Sequence, residues 1–363
     1  MPDIKDIVVT PSVMAQIAEL DEFKGHWTGV EGLDQEQLTS LKRVSTIESI
    51  GSSARIEGNR LSDGEVEELL SHIDITSFNS RDEAEVAGYA RLMDTIFDHY
   101  EIIPLSENYI KQLHSILLQF VSKDEWHLGE YKKLPNSVAA FGPDGKEIGV
   151  VFETATPFDT PRFMEDLIEW TRKNLDDPYL HPLIVIGVFI AHFLAIHPFQ
   201  DGNGRLSRAL TTMLLLKKGY AYTPYSSLEA VIERSKEGYY RALHRTQKNI
   251  FTGKKVDYEP WLSFFFSSLL KQKRHLEEKI KVILTESAPK SGAAAGGPSS
   301  TTLSRTQRAI LDLFEKEPRL DSPRISVMLG ANIETVKKAL RGLVAQGCLV
   351  KNGVTKGAWY ERR

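Results

Sequence analysis

The chain has 363 residues, a mass of 40.9 kDa and a formal net charge of −4, with 41% hydrophobic and 26% charged residues. Those figures suit a soluble globular protein of two or three domains and exclude a wholly disordered chain or a polycationic nucleic-acid coat. The single cysteine, Cys348, excludes an intramolecular disulfide, a four-cysteine zinc site and a Cys-x-x-Cys redox pair.

From the N-terminus, residues 1–10 lack a basic region followed by an apolar run, so no signal peptide is expected. Helical periodicity then dominates. Leu38, Leu41, Val44, Ile47, Ile50 and Ala54 recur at three or four residues, and Gly58 is placed to stop that helix as a C′ residue. Further helical patterns cover 83–100, 107–118, 161–174, 182–196, 205–217 and 261–284, and 228–243 reads as ordinary helix. The run 182–196 is apolar but shorter than the about 18 residues of a membrane span, so a soluble, cytoplasmic protein is expected. Two β-prone runs, 136–141 and 147–153, flank Gly142-Pro-Asp-Gly145 and read as a hairpin. Residues 287–302 contain almost no large apolar group and read as a flexible linker. Periodicity resumes with Ile310, Leu313, Phe314, Ile325, Met328, Leu329, Val336, Leu340, Leu343 and Val344.

The stretch His197-Pro-Phe-Gln-Asp-Gly-Asn-Gly-Arg-Leu-Ser-Arg208 joins two apolar helices. Gly202 and Gly204 permit positive φ and close approach of a ligand. The amides of Gly202, Asn203 and Gly204 stand just ahead of the next helix, an arrangement that favours anions. Arg205 and Arg208 are i, i+3 and share a face, while Leu206, Leu210, Met213 and Leu214 supply the buried one. Two guanidiniums beside an amide nest suit a polyphosphate. Asp201 among phosphates implies an intervening Mg²⁺, and His197 can take a proton near neutral pH.

This stretch resembles the Fic family signature, His-Pro-Phe-x-Asp/Glu-Gly-Asn-Gly-Arg-x-x-Arg, at every fixed position, and the resemblance extends more loosely over about residues 35–270. It implies a mainly α fold, the Fic/Fido helical fold with a β-hairpin flap, and transfer of AMP from ATP to a Ser, Thr or Tyr hydroxyl of a protein. By that resemblance His197 is the general base and Asp201 holds Mg²⁺ (or Mn²⁺). Gly202, Asn203, Gly204, Arg205, Leu206, Ser207 and Arg208 line the ATP site, with Arg205 towards the β-phosphate and Arg208 towards the γ-phosphate. Asn136, Ser137, Val138, Ala139 and Ala140 begin the flap, which clamps a target segment by strand addition. The Gly-Pro-Asp-Gly insertion departs from the commoner short flap. Tyr239 and Gln247 resemble residues at the nucleotide base; each could equally be a helix-packing residue.

Ser53-Ala-Arg-Ile-Glu57-Gly58 resembles the family's inhibitory motif, Ser/Thr-x-x-x-Glu-Gly/Asn, N-terminal to the core. Ser53 and Glu57 are i, i+4, and a Glu in the last helical turn gains from an external cation. The resemblance makes that cation Arg208, so Glu57 would keep ATP from binding productively. The plain alternative is a solvated helix end neutralised by Arg55 or Arg60.

Residues 304–363 carry twelve Lys/Arg against six Asp/Glu, an excess of +6 in an otherwise acidic chain. Helices over 304–316, 322–329 and 333–346, a turn at 330–332, and Asn352-Gly353 inside 348–360 resemble a C-terminal winged helix-turn-helix, with Lys337, Lys338 and Arg341 outward on its recognition helix. Its partner would be DNA or protein. The expected organisation is 1–103, a helical region with the inhibitory helix; 104–285, the Fic catalytic core and following helices; 286–303, linker; 304–363, winged helix. A homodimer is expected by resemblance. The alternatives are a transferase using another phosphorylated donor, a bifunctional enzyme that also removes AMP, and a nucleotide-sensing DNA-binding regulator.

Overall fold

A computed structural model describes residues 4–27, 33–71, 78–121, 127–141, 147–287, 305–316, 319–329, 333–345, 347–353 and 359–362. It is mainly helical with small antiparallel sheets and divides into two compact units, Met1–Thr285 and Glu286–Arg363. In chain order the first unit holds α1 (Pro11–Trp27), α2 (Gln35–Ile56), α3 (Asp63–Ser71), α4 (Arg81–His99), α5 (Glu107–Leu118), the hairpin β1 (Ser137–Phe141) and β2 (Glu147–Glu153), α6 (Thr160–Leu175), α7 (Pro182–Ile196), α8 (Asn203–Lys217), α9 (Leu228–Arg234), α10 (Lys236–Gln247) and α11 (Glu259–Ser287).

The centre of this unit is the α7–α8 pair. Every α7 residue from Leu183 to Ile196 is buried, which accounts for a helix apolar all round. Helix α8 is buried from Arg205 to Leu216, arginines included. Helices α2, α4, α5, α6 and α10 pack around them. Helix α11 crosses α7 at Gly187, whose carbonyl accepts from Trp261 Nε1 at 2.7 Å. Close approach also explains Gly88 of α4: a Cβ there would lie 2.1 Å from the Leu117 carbonyl of α5.

Helix α2 starts at a capping box, with Asp34 Oδ1 accepting from the Gln37 amide at 2.8 Å and Gln37 Oε1 from the Asp34 amide at 2.9 Å. It ends at Glu57, and Gly58 follows at φ +98°. Its buried face differs from the apolar one expected. Leu41, Ile50 and Ala54 are buried with Ser45, Ser49, Ser52 and Ser53, whereas Val44 is 54% exposed. Serines fill the inward positions because they bond across it; Ser45 Oγ donates to the Tyr225 carbonyl at 2.7 Å.

The run 228–243 is two helices, not one. Ser235, at φ −126° and ψ 32°, breaks the chain between α9 and α10. Helices α1 and α3 add to the elements expected from periodicity. The β1–β2 pair is antiparallel with irregularities at Val138/Ala139 and Ala140/Phe141. The turns at 142–145 and 330–332 and the expected linker from 288 onward lie outside the described residues, while α11 runs on to Ser287, so residues 286 and 287 of that expected linker are helical.

The second unit contains α12 (Arg305–Lys316), β3 (Arg319–Asp321), α13 (Ser322–Leu329), α14 (Ile333–Ala345), β4 (Leu349–Asn352) and β5 (Trp359–Arg362). Its sheet has the order β3-β5-β4, all antiparallel; the short β3 adds a strand to the expected hairpin. Ile310, Phe314, Leu320, Ile325, Val336, Leu340, Leu343, Leu349 and Tyr360 form its core. Met328, expected inside, is 41% exposed. Among the described residues no helix is long and apolar enough to cross a membrane.

Candidate active site

Helix α7 stops because His197 adopts φ 52° and ψ 60°, the one positive-φ non-glycine among the described residues. Such a conformation costs about 1–2 kcal/mol and persists only when neighbours enforce it. It sends the chain into the 198–202 loop. Asn203 closes that loop, its Oδ1 accepting from the Phe199 amide at 2.9 Å and its Nδ2 donating to the Phe199 carbonyl at 2.8 Å. Gly202, at φ +78°, starts α8. The Asn203 side chain is therefore a staple, and any part it has in anion binding falls to its backbone amide.

The half-buried His197 imidazole lies 3.3 Å from the Leu194 carbonyl through Nδ1. A carbonyl only accepts, so Nδ1 carries the proton and Nε2 keeps its lone pair. Burial, and then the nearby Lys132 charge, push the ring down to about 4. At neutral pH it is an uncharged base.

Asp201 closes a ring with three other side chains, Arg81, Glu85 and Arg205. Its Oδ2 lies 2.7 Å from Arg81 Nη2 and 3.4 Å from Arg205 Nη2, while Arg81 Nε and Arg205 Nη1 lie 2.7 and 3.1 Å from the Glu85 carboxylate. Asp201 Oδ1 also accepts from the Gly202 amide at 2.6 Å. Burial favours the neutral acid, but Arg205, the Gly202 amide and Arg81 outweigh it and hold Asp201 below the usual carboxylate value. Arg205 is 2% exposed; among the described residues its Nε has no hydrogen-bond partner and its Nη1 meets Glu85 only as an ion pair.

Arg208 faces α2. Its Nε donates to Ser53 Oγ and its Nη2 to the Ser53 carbonyl, each at 2.9 Å, and Nη2 lies 2.8 Å from Glu57 Oε1. Burial works against its charge, yet Glu57 outweighs burial and raises the guanidinium above its ordinary value. Among the described residues Arg208 Nη1 has no hydrogen-bond partner, although the Tyr239 side chain lies beside the guanidinium. The Glu57 carboxylate also covers the first turn of α8: a Cβ on Gly204 would lie 2.1 Å from Glu57 Oε1. Neither Arg55 nor Arg60 neutralises Glu57. Arg55 instead joins Asp63 at 2.9 Å and Glu233 at 2.7 Å, tying the end of α2 to α9.

The structure thus gathers His197, Asp201, Gly202, Gly204, Arg205, Arg208, Ser53 and Glu57 at the α7–α8 turn. Two expected ATP-site side chains do not reach it. Leu206 is fully buried in the core, and Ser207 Oγ donates to the Gly204 carbonyl at 2.7 Å. Tyr239, 3% exposed, packs against Trp261 and Phe264 and, with Arg208 and Ser207, lines a small cavity. Gln247 is buried, and its Nε2 donates to the Ala191 carbonyl at 2.9 Å. Asn136 precedes β1 at the hairpin base, where its Nδ2 donates to the Phe199 carbonyl at 2.8 Å. Ser137, Val138, Ala139 and Ala140 lie in β1.

Sequence reasoning missed Arg81, Glu85, His114, Lys132 and Thr154. Arg81 and Glu85 read as an ordinary i, i+4 surface pair, and nothing local ties them to Asp201, 120 residues away. His114 stacks on Phe199 with ring centroids 3.9 Å apart, accepts from the Gly129 amide through Nδ1 and donates from Nε2 to the Asp201 carbonyl, both at 3.0 Å.

Among the described residues no group of three or more His, Cys, Asp or Glu could hold a metal unaided. Asp201, just before α8, offers a single carboxylate from the 198–202 loop. That fits a divalent ion which takes its other ligands from phosphate oxygens.

Residues 104–215 match the Fic/DOC family. The chain carries a Fic/DOC family domain. A protein named protein adenylyltransferase Fic from Culex quinquefasciatus is 28% identical over 207 residues, covering 55% of this chain and 38% of that one. The chain spans about a third of the length of the curated relatives it matches. A Fic family protein from Desulfovibrio desulfuricans shares the fold at TM-score 0.64 and 21% identity, over 99% of this chain and 98% of that one. A Fic domain containing signaling protein from Bacteroides thetaiotaomicron gives 0.58 at 26% identity, over 74% and 97%.

Burial lowers His114 to about 4, so it is neutral in the fold and charges on unfolding below its ordinary 6.5. Its stabilisation is complete above pH 6.5 and declines as pH falls towards 4, by about 1.4 kcal/mol per unit. Urea unfolding at pH 6.5 and 5.5 is expected to reveal about 1 kcal/mol more loss in the wild type than in His114→Gln, since at pH 6.5 the unfolded imidazole is already half charged. Equal losses would contradict the assignment.

Proposed function

We propose that this chain is a protein adenylyltransferase, moving AMP from ATP to a Ser, Thr or Tyr hydroxyl of a target protein, and that Glu57 holds it inactive. The observation that carries the reading is the pairing of a neutral base, His197, with two buried arginines that keep unpartnered N–H groups beside a helix N-terminus. That end of α8 favours anions, and the unpartnered donors are satisfied by phosphate oxygens. The relatives named protein adenylyltransferase support the same assignment.

In the proposed reaction His197 Nε2 accepts the hydroxyl proton as that oxygen bonds the α-phosphorus. The bond from the α-phosphorus to the bridging oxygen breaks and diphosphate leaves. Arg205 would neutralise charge on the β-phosphate side and Arg208 on the γ-phosphate. Asp201 would hold Mg²⁺ or Mn²⁺, which supplies further charge neutralisation for the leaving group. To do so it must exchange its contact with the half-exposed Arg81. Glu57 opposes all of this, because its carboxylate takes the Arg208 donor and stands over Gly204, where phosphate would lie.

The test is transfer of label from α-labelled ATP to protein. Glu57→Gly is expected to raise labelling at least tenfold, and adding His197→Ala to remove it, since a base supplies about 10²–10⁴-fold. Absence of label with Glu57→Gly across Mg²⁺ and Mn²⁺ in several lysates would exclude the proposal.

A second reading concerns residues 305–362 alone. We infer that they are a winged helix that binds duplex DNA. On α14, Lys337, Lys338 and Arg341 are all exposed, while Val336, Leu340 and Leu343 face the core. Full-length protein should retard duplex DNA at low salt. Alanine at these three positions should weaken binding and lower the slope against log salt by about 0.9 per lost phosphate contact. Unchanged binding would exclude the role.

A further inference from the structure

Lys132 lies between α5 and β1 and is 3% exposed. Its ammonium pairs with no carboxylate among the described residues. Instead its three protons go to three neutral oxygens: Asn136 Oδ1 at 2.8 Å, Thr154 Oγ1 at 2.9 Å and the Ile196 carbonyl at 2.9 Å. A lysine has three donors, so all are used. A cation surrounded by dipoles alone is costly to bury, and burial lowers this one to about 7. Such an arrangement calls for a use.

The identity of the three acceptors supplies one. Asn136 immediately precedes β1 and Thr154 immediately follows β2, so they are the two legs of the hairpin. Ile196 is the last residue of α7 and adjoins His197. Its carbonyl is at the negative end of the helix dipole, where a cation is favoured. Further bonds tighten the junction. The Lys132 amide donates to the Pro198 carbonyl at 2.8 Å, Thr154 Oγ1 to the Asn136 carbonyl at 2.7 Å, and Asn136 Nδ2 to the Phe199 carbonyl at 2.8 Å. The Ala155 amide reaches the Ala195 carbonyl at 3.3 Å.

We propose that Lys132 is a positioning residue that locks both legs of the β1–β2 hairpin to the carbonyl end of α7, fixing where a target segment clamped on the hairpin presents its hydroxyl to His197. The anchoring rests on geometry; its consequence for transfer rests on the adenylyltransferase reading. Lys132 itself touches neither ATP nor target. Its loss should therefore free the hairpin and impair transfer while leaving nucleotide binding intact.

Three measurements on the full chain carrying Glu57→Gly test this, with Lys132 intact, Lys132→Met or Lys132→Arg. Amide hydrogen exchange in 137–141 and 147–153 should be roughly tenfold or more faster in Lys132→Met, as loss of a charge-assisted hydrogen bond implies. Exchange in α7 and α8 should be unchanged. ATP affinity by calorimetric titration should stay within about twofold, while label transfer to lysate proteins falls about tenfold or more. Lys132→Arg should restore hairpin protection and part of the transfer. Unaltered hairpin exchange would overturn the anchor, and parallel loss of ATP binding would reduce Lys132 to a general fold residue. Should Lys132→Met not fold, Thr154→Val removes one acceptor and keeps the ammonium; it must then speed hairpin exchange, and failure to do so overturns the proposal. If the Glu57→Gly parent transfers no label, the adenylyltransferase reading fails, and hairpin exchange still decides the anchor.

Discussion

Arg208 has one guanidinium and two claims upon it. In the free chain α2 satisfies the claim from within, through two bonds to Ser53 and one ion pair to Glu57, all between 2.8 and 2.9 Å. A buried ion pair of this kind contributes little net stability, because desolvation offsets the Coulomb gain. Its consequence is occupancy. While Glu57 is in place it holds Arg208 Nη2, and in the proposed reading its negative charge opposes a phosphate at the same guanidinium. The Ser53 contacts differ in kind, because they orient the guanidinium without neutralising it. Removing Glu57 alone should leave Arg208 aimed and newly available.

The other cations of the site follow the same logic with different partners. Arg205 and Arg81 share Asp201 and Glu85 in a closed ring, which ties the loop carrying Asp201 to α4 and α8. His114 adds a neutral bond to the Asp201 carbonyl from beneath. Lys132 takes dipoles rather than charges. Its positive charge near the imidazole also disfavours protonation of His197 and so helps keep it neutral. Charge balance at the α7–α8 turn is thus set by residues from α2, α4, α5 and the segment before β1, far apart in sequence.

That spread explains what could be read from the chain. Helices α5 and α7 were legible to the residue, since α5 has a one-sided apolar stripe and α7 is a continuous apolar run that starts at a proline. The local motif 197–208 could be read as a candidate anion site because its glycines, carboxylate and arginines are contiguous. The Ser53/Glu57 pair and its partner Arg208 could be named only by resemblance to a known pattern, because the contact spans 155 positions and carries no local signal. Face assignment failed on α2 where serines bond across the interface, leaving Val44 outside. The α9–α10 break was hidden because every residue around Ser235 is acceptable in a helix. Leu206 and Ser207 sit inside the motif but face inward, since successive helical residues point about 100° apart. Arg81, Glu85 and Lys132 carried no local signal at all.

The central claim is that Glu57 excludes the terminal phosphate from Arg208 and thereby sets the pose of ATP. Crystal structures of the wild type and of Glu57→Gly with a non-hydrolysable ATP analogue test it directly. The account predicts the terminal phosphate on Arg208 and the α-phosphorus facing His197 Nε2 in the variant alone. An identical phosphate pose in both proteins would contradict it.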